Sequence, residues 1–276
     1  MGLKINTNVA GLRTARILRG STLDLNRSLE RLSSGLRVNR AADDAAGLAI
    51  AEGFRSVSKA AVVSQRNAQD GISLVQTAEG ALSETINMLH RMRELTVQAA
   101  NGTNSLQNRT DLQLEITQLI EQIDDIATNT EFNGVNPLDG SLPTITLQVG
   151  ARDTTTLDIV FTSAADAASL GVDVVDVVSA DGDLARTWLD DIDLALTTVN
   201  TQRSTLGAAQ NRLEFTISTL QIQEENAVAS ESAIRDADIA RETIKFTRNQ
   251  ILVSAGTSIL GQANVVPQTA LQLLGG

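Results

Sequence analysis

The fold class of this chain is set by residues 74–99, LVQTAEGALSETINMLHRMRELTVQA. Apolar and small side chains recur there in alternating steps of four and three residues, at Leu74, Ala78, Ala81, Thr85, Met88, Met92, Leu95 and Ala99. This spacing puts them on one face of an α-helix, as in helices that pack lengthwise against a partner. A neighbouring stripe, formed by Val75, Leu82, Ile86 and Leu89, predicts that this helix is covered from two sides.

The same spacing continues on both sides of this stretch. It predicts a helix that ends at Gly35, a second from Asp43-Asp44 to Asn101-Gly102, a third over 112–126, a long one over 184–227 and a last one over 252–273. Proline occurs only at positions 137, 143 and 267. Because proline is the residue that most strongly interrupts helices, the predicted helices are free to be long.

The centre of the chain follows a different pattern. Asn133-Gly134 and Asp139-Gly140 are turn signals, and apolar residues then alternate with polar ones over 145–149 and 157–161. A period of two is typical of half-buried strands, so residues 130–161 are predicted to form a small hairpin region. Residues 162–185 are acidic and weakly patterned, and are predicted to form a connector on the surface.

Together these elements predict a mainly α protein. Its expected form is a long antiparallel helical bundle or coiled-coil rod with a small β-hairpin region at the centre of the chain. The order of helices is nearly symmetric about that centre, so the natural closure pairs the two chain ends. Two terminal helices of about 35 residues cannot hide all their apolar surface against only each other. We therefore expect them to gain stable order only when other subunits cover them.

Composition excludes several functional classes. The 276 residues include no Cys, which excludes disulfides and thiolate metal sites, and the net charge of −11 argues against general nucleic-acid binding. No apolar run approaches the ~20 residues of a membrane-spanning helix, so membrane insertion is not expected. With five Phe, one Trp and no Tyr, the core must be aliphatic, which suits packing of helix on helix.

No residue pattern predicts catalysis, and no cofactor or metal site is expected. His90 is the only histidine, and a solvated helix position is favoured over a catalytic role. The acidic residues around the start of the long later helix lack the spacing of a calcium loop, so helix capping is favoured over cation binding. They are Asp181, Asp183, Asp190, Asp191 and Asp193.

Three stretches carry a family resemblance. They are residues 28–47, SLERLSSGLRVNRAADDAAG, residues 66–101, RNAQDGISLVQTAEGALSETINMLHRMRELTVQAAN, and residues 210–260, which include QNRLEFTI, ENAVASESAIRDADIA and TRNQILVSAGTSIL. These strings resemble bacterial flagellin over nearly the whole chain. The resemblance implies a secreted, extracellular structural subunit that self-assembles into the helical filament of the bacterial flagellum and serves swimming motility.

The resemblance also implies a domain organisation and an assembly site. Residues 1–36 and 236–276 would form the two halves of an inner-tube coiled coil, 37–42 a linker, and 43–235 a helical rod domain that includes the β region 130–161 and the variable connector 162–185. The implied self-assembly residues are apolar positions of the two terminal helices: Ile5, Val9, Leu12, Leu18, Leu25, Leu29, Leu32, Leu252, Ile259, Ala263, Val266 and Leu273.

The implied partners are further copies of the chain, the flagellar export apparatus and its export chaperone, the filament cap and the hook–filament junction proteins. A vertebrate innate immune receptor for flagellin is a further implied partner. The positions that match its contact surface are Arg91, Leu95 and Glu115.

Three alternatives stay open at this point. Another axial flagellar protein, such as the hook–filament junction component, shares the helical design, although the long string at 66–101 favours flagellin. An amphipathic lipid-binding helical protein would need more interfacial aromatic and Lys side chains than this chain has. An enzyme inserted into a filament protein would need catalytic motifs that the sequence does not show.

Overall fold

A computed structural model describes residues 7–152, 154–162, 164–179 and 182–274 of the chain, with side chains up to Val265. The elements in chain order are α1 (Val9–Ser34), α2 (Ala45–Ala99), α3 (Leu106–Asn129), β1 (Thr144–Gln148), β2 (Thr156–Val160), α4 (Ala167–Leu170), α5 (Asp183–Arg235) and α6 (Ile239–Leu274). The two strands pair antiparallel. The predicted mainly α fold with a small central hairpin is therefore confirmed.

The chain divides into two compact units. The terminal unit comprises residues 1–56 and 226–276, and the central unit comprises residues 57–225. The domain boundaries that the sequence suggested stay a prediction.

The ends of α1 and α2 lie close to where the sequence places them, whereas three other predicted bounds are wrong: α3 begins at Leu106, α5 ends at Arg235 and α6 begins at Ile239, well outside the predicted ranges 112–126, 184–227 and 252–273. The side chain of Asn8 caps α1 by accepting a hydrogen bond from the amide of Gly11 at 2.8 Å, and Gly35 ends the helix with a left-handed φ of 74°. The carboxylate of Asp44 accepts a hydrogen bond from the amide of Gly47 at 2.8 Å at the start of α2. Polar side chains and one glycine therefore set these boundaries, and all of them are readable in the sequence.

The core of the central unit is formed mainly by α2, α3, α5 and the hairpin. Both predicted stripes of α2 contribute to this core, which confirms that the helix is covered from two sides. The buried residues of α2 include Leu74, Val75, Ala78, Leu82, Leu89, Met92, Leu95 and Ala99. The hairpin turns Ile145 and Leu147 inward opposite Ile159 and Leu157. Gly71 of α2 lies directly against Leu147, so a Cβ atom at this position would force the end of that side chain to move.

The prediction that residues 162–185 form a connector on the surface is wrong. Several of its apolar residues are buried in the core of the central unit, including Leu170, Val172, Val175 and Val177. The side chain of Gln113 on α3 replaces a strand partner, because its amide donates to the carbonyl of Val175 and accepts from the amide of Val177, each at 2.8 Å. Aspartates between the valines face solvent, so an acidic composition concealed a segment that packs.

A fully buried arginine, Arg109 on α3, closes the turn between α2 and α3. Its Nε donates to the carbonyl of Ala99 at 2.9 Å, its Nη2 to that of Asn101 at 3.1 Å, and its Nη1 to that of Ser179 at 2.6 Å. The first two carbonyls lie at the C-terminus of α2, where helical carbonyls lack intrahelical partners and the helix dipole favours a cation. Arg109 thus joins α2, α3 and the buried connector.

We expect Arg109→Met to lower the free energy of unfolding of the central unit by about 3 kcal/mol, because it leaves several buried carbonyls without a charged donor. The single tryptophan, Trp188, packs against the core of this unit, so its fluorescence during urea titration measures the change. Arg66→Met, at an exposed position of α2, is the control and should change little. Equal effects of the two substitutions would contradict this role of Arg109.

Candidate assembly surface

In the terminal unit, α1 and α6 pack against each other as an antiparallel pair. Asn8 Nδ2 donates to the carbonyl of Ala263 at 2.9 Å, which joins the start of α1 to the C-terminal part of α6. Near the middle, Gly256 lies against Leu18, where a Cβ atom would come within 3.1 Å of Leu18 Cδ1. The helices therefore approach closely along one face of each.

Only part of the apolar surface of α1 faces α6. Of the predicted assembly residues, Leu18, Leu25, Leu32 and Ala263 are half-buried. The others that the structure describes keep between 47% and 69% of their surface exposed: Val9, Leu12, Leu29, Leu252 and Ile259. The side chains of Ile5, Val266 and Leu273 lie outside the described residues. Some of the predicted assembly residues therefore lie in the contact between α1 and α6. The others lie on the solvent-exposed sides of the two helices, which we call the outer faces of the pair.

Further large apolar side chains, which the sequence interpretation missed, share these outer faces: Ile17 and Leu23 on α1, and Ile239, Ile244, Ile251 and Val265 on α6. On α6, Ile244, Ile251 and Leu252 line an open groove of about 760 Å³. Apolar residues occur on all sides of α6, a distribution that is typical of a helix surrounded by other helices. The lack of a polar face on α6 was the signal in the sequence that could have identified this second set.

A polar cluster lies within the contact between the two helices. Glu242 of α6 and Ser28 of α1 are both buried, and Lys245 Nζ donates to Glu242 Oε2 at 3.1 Å. Burial raises the pKa of Glu242, but the hydrogen bonds from Lys245 and Ser28 and the charge of Arg31 outweigh it, so the pKa lies below its ordinary value. The ionised carboxylate therefore stabilises the pairing of α1 with α6.

The segment between α1 and α2 is fixed to the junction between α5 and α6. The amide of Ala237 donates to the carbonyl of Gly35 at 2.8 Å, and the Arg37 guanidinium donates to the carbonyl of Ile234 at the C-terminus of α5. Arg235 forms an ion pair with Glu52 at 3.0 Å. These contacts fix the axial alignment of α1 relative to α6. That alignment determines which side chains of the pair face outward.

The three predicted receptor-contact residues occupy different environments in the central unit. Arg91 Nε donates to Glu115 Oε1 at 2.8 Å, and this ion pair, with Glu94 beside it, raises the pKa of Arg91. Leu95, in contrast, is only 1% exposed in the core between the helices. Its predicted place on a contact surface is therefore wrong, because a buried side chain supports that surface from beneath without touching a partner.

The residues weighed for metal binding take other roles. Asp193 accepts two hydrogen bonds from Arg93, at 2.7 and 3.3 Å, and this pairing lowers its pKa. Asp183 pairs with Arg186 at 2.9 Å, Asp190, Asp191 and His90 are exposed, and Asp181 lies outside the described residues. Within the part of the chain that the structure describes, no three acidic or histidine side chains converge on a metal-sized site.

No helix in the described ranges combines the length and the hydropathy that crossing a membrane requires.

Comparisons with known proteins place this geometry in a family. Residues 5–142 match the bacterial flagellin N-terminal helical region, and residues 189–274 match the bacterial flagellin C-terminal helical region. The flagellin of Halalkalibacterium halodurans is 44% identical over 98% of this chain and 99% of its own length. The flagellin of Bacillus subtilis is 41% identical over 99% of this chain and all of its own length.

Other similarities agree with this. The flagellar filament 31.3 kDa core protein of Treponema maltophilum is 41% identical over 98% of this chain and 99% of its own length. The crystal structure of Bacillus cereus flagellin is 35% identical and covers 56% of this chain and 88% of its own, with a TM-score of 0.50. A putative flagellar hook-associated protein of Vibrio parahaemolyticus, 14% identical with a TM-score of 0.58 over 70% of this chain and all of its own, shares the fold only.

The alternative of a hook–filament junction component is not favoured, because the relatives that match nearly the whole chain are filament proteins. The chain belongs to the bacterial flagellin family, whose members are structural subunits of the flagellar filament that serves motility and are not enzymes.

Proposed function

We propose that copies of this filament subunit join through the outer apolar faces of the α1–α6 pair. The observation that supports this is the exposure of large apolar side chains on both helices, which on α6 are spread around the helix and not confined to one face. Each such side chain contributes about 1.5–3 kcal/mol when it moves from water into a packed interface. An interface that does not close on itself adds subunits without limit, which yields a filament and not a ring.

The ranges 1–36 and 236–276 are then the inner part of the filament, and 43–235 is the rod outside it. Family membership supports secretion through the flagellar export apparatus with an export chaperone, growth beneath the filament cap and attachment to the hook–filament junction proteins. The extracellular location follows from the same membership, since flagellar filaments lie outside the cell.

We expect Leu12→Gln and Ile259→Gln each to raise the critical concentration for elongation of filament seeds about tenfold or more. Each removes apolar area that is exposed in one chain and would be covered by the next, and 1.4 kcal/mol corresponds to a factor of ten. Sedimentation of polymer from monomer measures this concentration.

The matched control is Leu142→Gln, the same chemical change at an exposed position of the central unit outside any helix. Wild-type critical concentrations for Leu12→Gln and Ile259→Gln would contradict the proposed surface.

The pairing of α1 with α6 should weaken in acid. Because the pKa of Glu242 is lower in the pair than its ordinary value of 4.5, its stabilising effect is complete above that value and is lost as pH falls below it. Light scattering during a titration of seeded wild-type filaments from about pH 5 to 3 should show that the filaments dissociate as Glu242 becomes protonated. Glu242→Gln should weaken filaments at neutral pH and should make their dissociation depend less on pH. If the variant dissociates over the same pH range as the wild type, the proposed role of Glu242 is contradicted.

We also propose that the exposed ion pair of Arg91 with Glu115 is the site that a vertebrate innate immune receptor contacts. Arginine is enriched among residues that dominate interfaces, so Arg91→Ala should reduce receptor activation by dissolved monomer about tenfold. Arg152→Ala, at another exposed position of the central unit, is the control. Cell-based reporter assays that respond equally to both variants and the wild type would remove this assignment. Leu95→Ala is unsuitable as a surface test, because it opens a cavity in the core.

A further inference from the structure

One end of the α1–α6 pair carries positive charge and no negative charge. We call it the basic end, and it consists of residues 9–23 of α1 with residues 249–263 of α6 alongside them. Its charged side chains are those of Arg13, Arg16 and Arg19, and the first carboxylate side chain of the sequence is that of Asp24. This local charge contrasts with the net charge of −11 of the whole chain.

The three arginines of the basic end are exposed. Within the residues that the structure describes, none of the three forms an ion pair, whereas Arg27, further along α1, pairs with Asp24 at 3.8 Å. Their guanidinium groups are therefore available to an anionic group outside the chain.

Aliphatic side chains share the outer face of α1 with these arginines. Leu12 is 69% exposed and Leu23 is 56% exposed. Leu18 marks the side of α1 that contacts α6, because its side chain lies against Gly256. At about 100° per residue, the two exposed leucines and the three arginines all lie at least about 100° around the helix from Leu18. With Val9, they form a strip about 21 Å long that mixes basic and aliphatic side chains, which we call the basic strip.

An anionic lipid surface matches both components of the basic strip. Lipid phosphates accept hydrogen bonds from guanidinium groups, and the hydrocarbon just below them receives aliphatic side chains. A nucleic acid would pair with the arginines but would leave the leucines in water. An acidic protein would have to place carboxylates and apolar groups at matching intervals, whereas a fluid lipid surface adapts to their spacing.

We propose that the basic strip binds an anionic lipid surface when the chain is unassembled, with α1 lying in the plane of that surface. The scarcity of Lys and aromatic residues argues against a lipid-binding role for the chain as a whole. Within α1, however, arginine supplies the charge and leucine supplies the apolar contact.

The charge of the central unit orients the bound chain. Residues 111–199 contain seventeen acidic and two basic side chains. An anionic surface repels this region and attracts the basic strip, so the chain should approach with α1 foremost. Lipid would then cover apolar side chains of α1 that are exposed in the isolated chain.

The direct test is flotation of the full-length monomer with vesicles of equal parts phosphatidylcholine and phosphatidylglycerol. The triple variant Arg13→Gln, Arg16→Gln, Arg19→Gln should lower the partition coefficient at least about tenfold, because each arginine near the surface adds to the attraction. The matched control is Arg66→Gln, Arg152→Gln, Arg212→Gln, which removes the same charge at exposed positions of the central unit. It should lower the coefficient less than about twofold. Equal losses in the two variants, or equal binding to pure phosphatidylcholine, would overturn the inference.

A second test separates lipid from other anionic partners. Leu12→Gln leaves every charge in place and should lower the partition coefficient about tenfold, whereas Leu114→Gln, at a 63% exposed position of α3, should leave it unchanged. A chain that binds soluble polyglutamate but does not float with the anionic vesicles would overturn the inference in favour of an acidic protein partner.

A third test locates the contact. The chain has no cysteine, and a side chain at Gly20 on the outer face of α1 would meet open space. A polarity-sensitive fluorophore on Gly20→Cys should be quenched by brominated phosphatidylglycerol, and the same fluorophore on Ser218→Cys, exposed on α5, should not. Equal quenching at the two positions would overturn the inference. Elongation of seeds without lipid tests the proposed assembly separately, so either proposal can fail while the other stands.

Discussion

The terminal unit is governed by an excess of apolar surface that one chain cannot bury. Helix α1 presents one face to α6 and leaves Leu12 and Ile17 in solvent, while apolar residues are spread around α6 and not confined to one face. Helices of this length gain most of their stability from packing, so we expect two helices that leave many large apolar side chains in water to stabilise each other only weakly. Polar contacts such as that of Glu242 with Ser28 fix the alignment of the pair, and we propose that neighbouring copies supply the missing burial.

The central unit satisfies its own requirements. Its aliphatic core joins α2, α3, α5 and the hairpin, Gly71 admits Leu147, and Arg109 closes the end of α2 while holding the buried connector. This buried core contrasts with the exposed apolar surface of the terminal unit, so we expect the central unit to fold by itself and the terminal unit to depend on assembly.

The sequence predicted the helices, the hairpin and the end of α1, because a period of 3.6 or 2 and residues such as Gly35 act locally, but it placed the start of α6 well after Ile239. It failed where the outcome depends on distant partners. Leu95 was predicted both on the packed stripe of α2 and on a contact surface, and only the structure shows how completely it is buried. Val175 and Val177 are buried without a periodic pattern, and their backbone groups bond to Gln113 of α3. Likewise the stripe on α1 predicted apolar contact correctly, whereas only the structure distinguishes Leu18, which faces α6, from Leu12, which faces outward.

The central claim is that α1 and α6 are stabilised by other copies more than by each other. Amide hydrogen exchange resolved by segment measures this directly, in dilute monomer and in filaments of the same chain. Amides of α1 and α6 should exchange quickly in the monomer and become strongly protected in the filament, whereas those of α2 and α5 within residues 57–225 should be protected in both. Protection of α1 and α6 in the dilute monomer equal to that of the central unit would contradict the account.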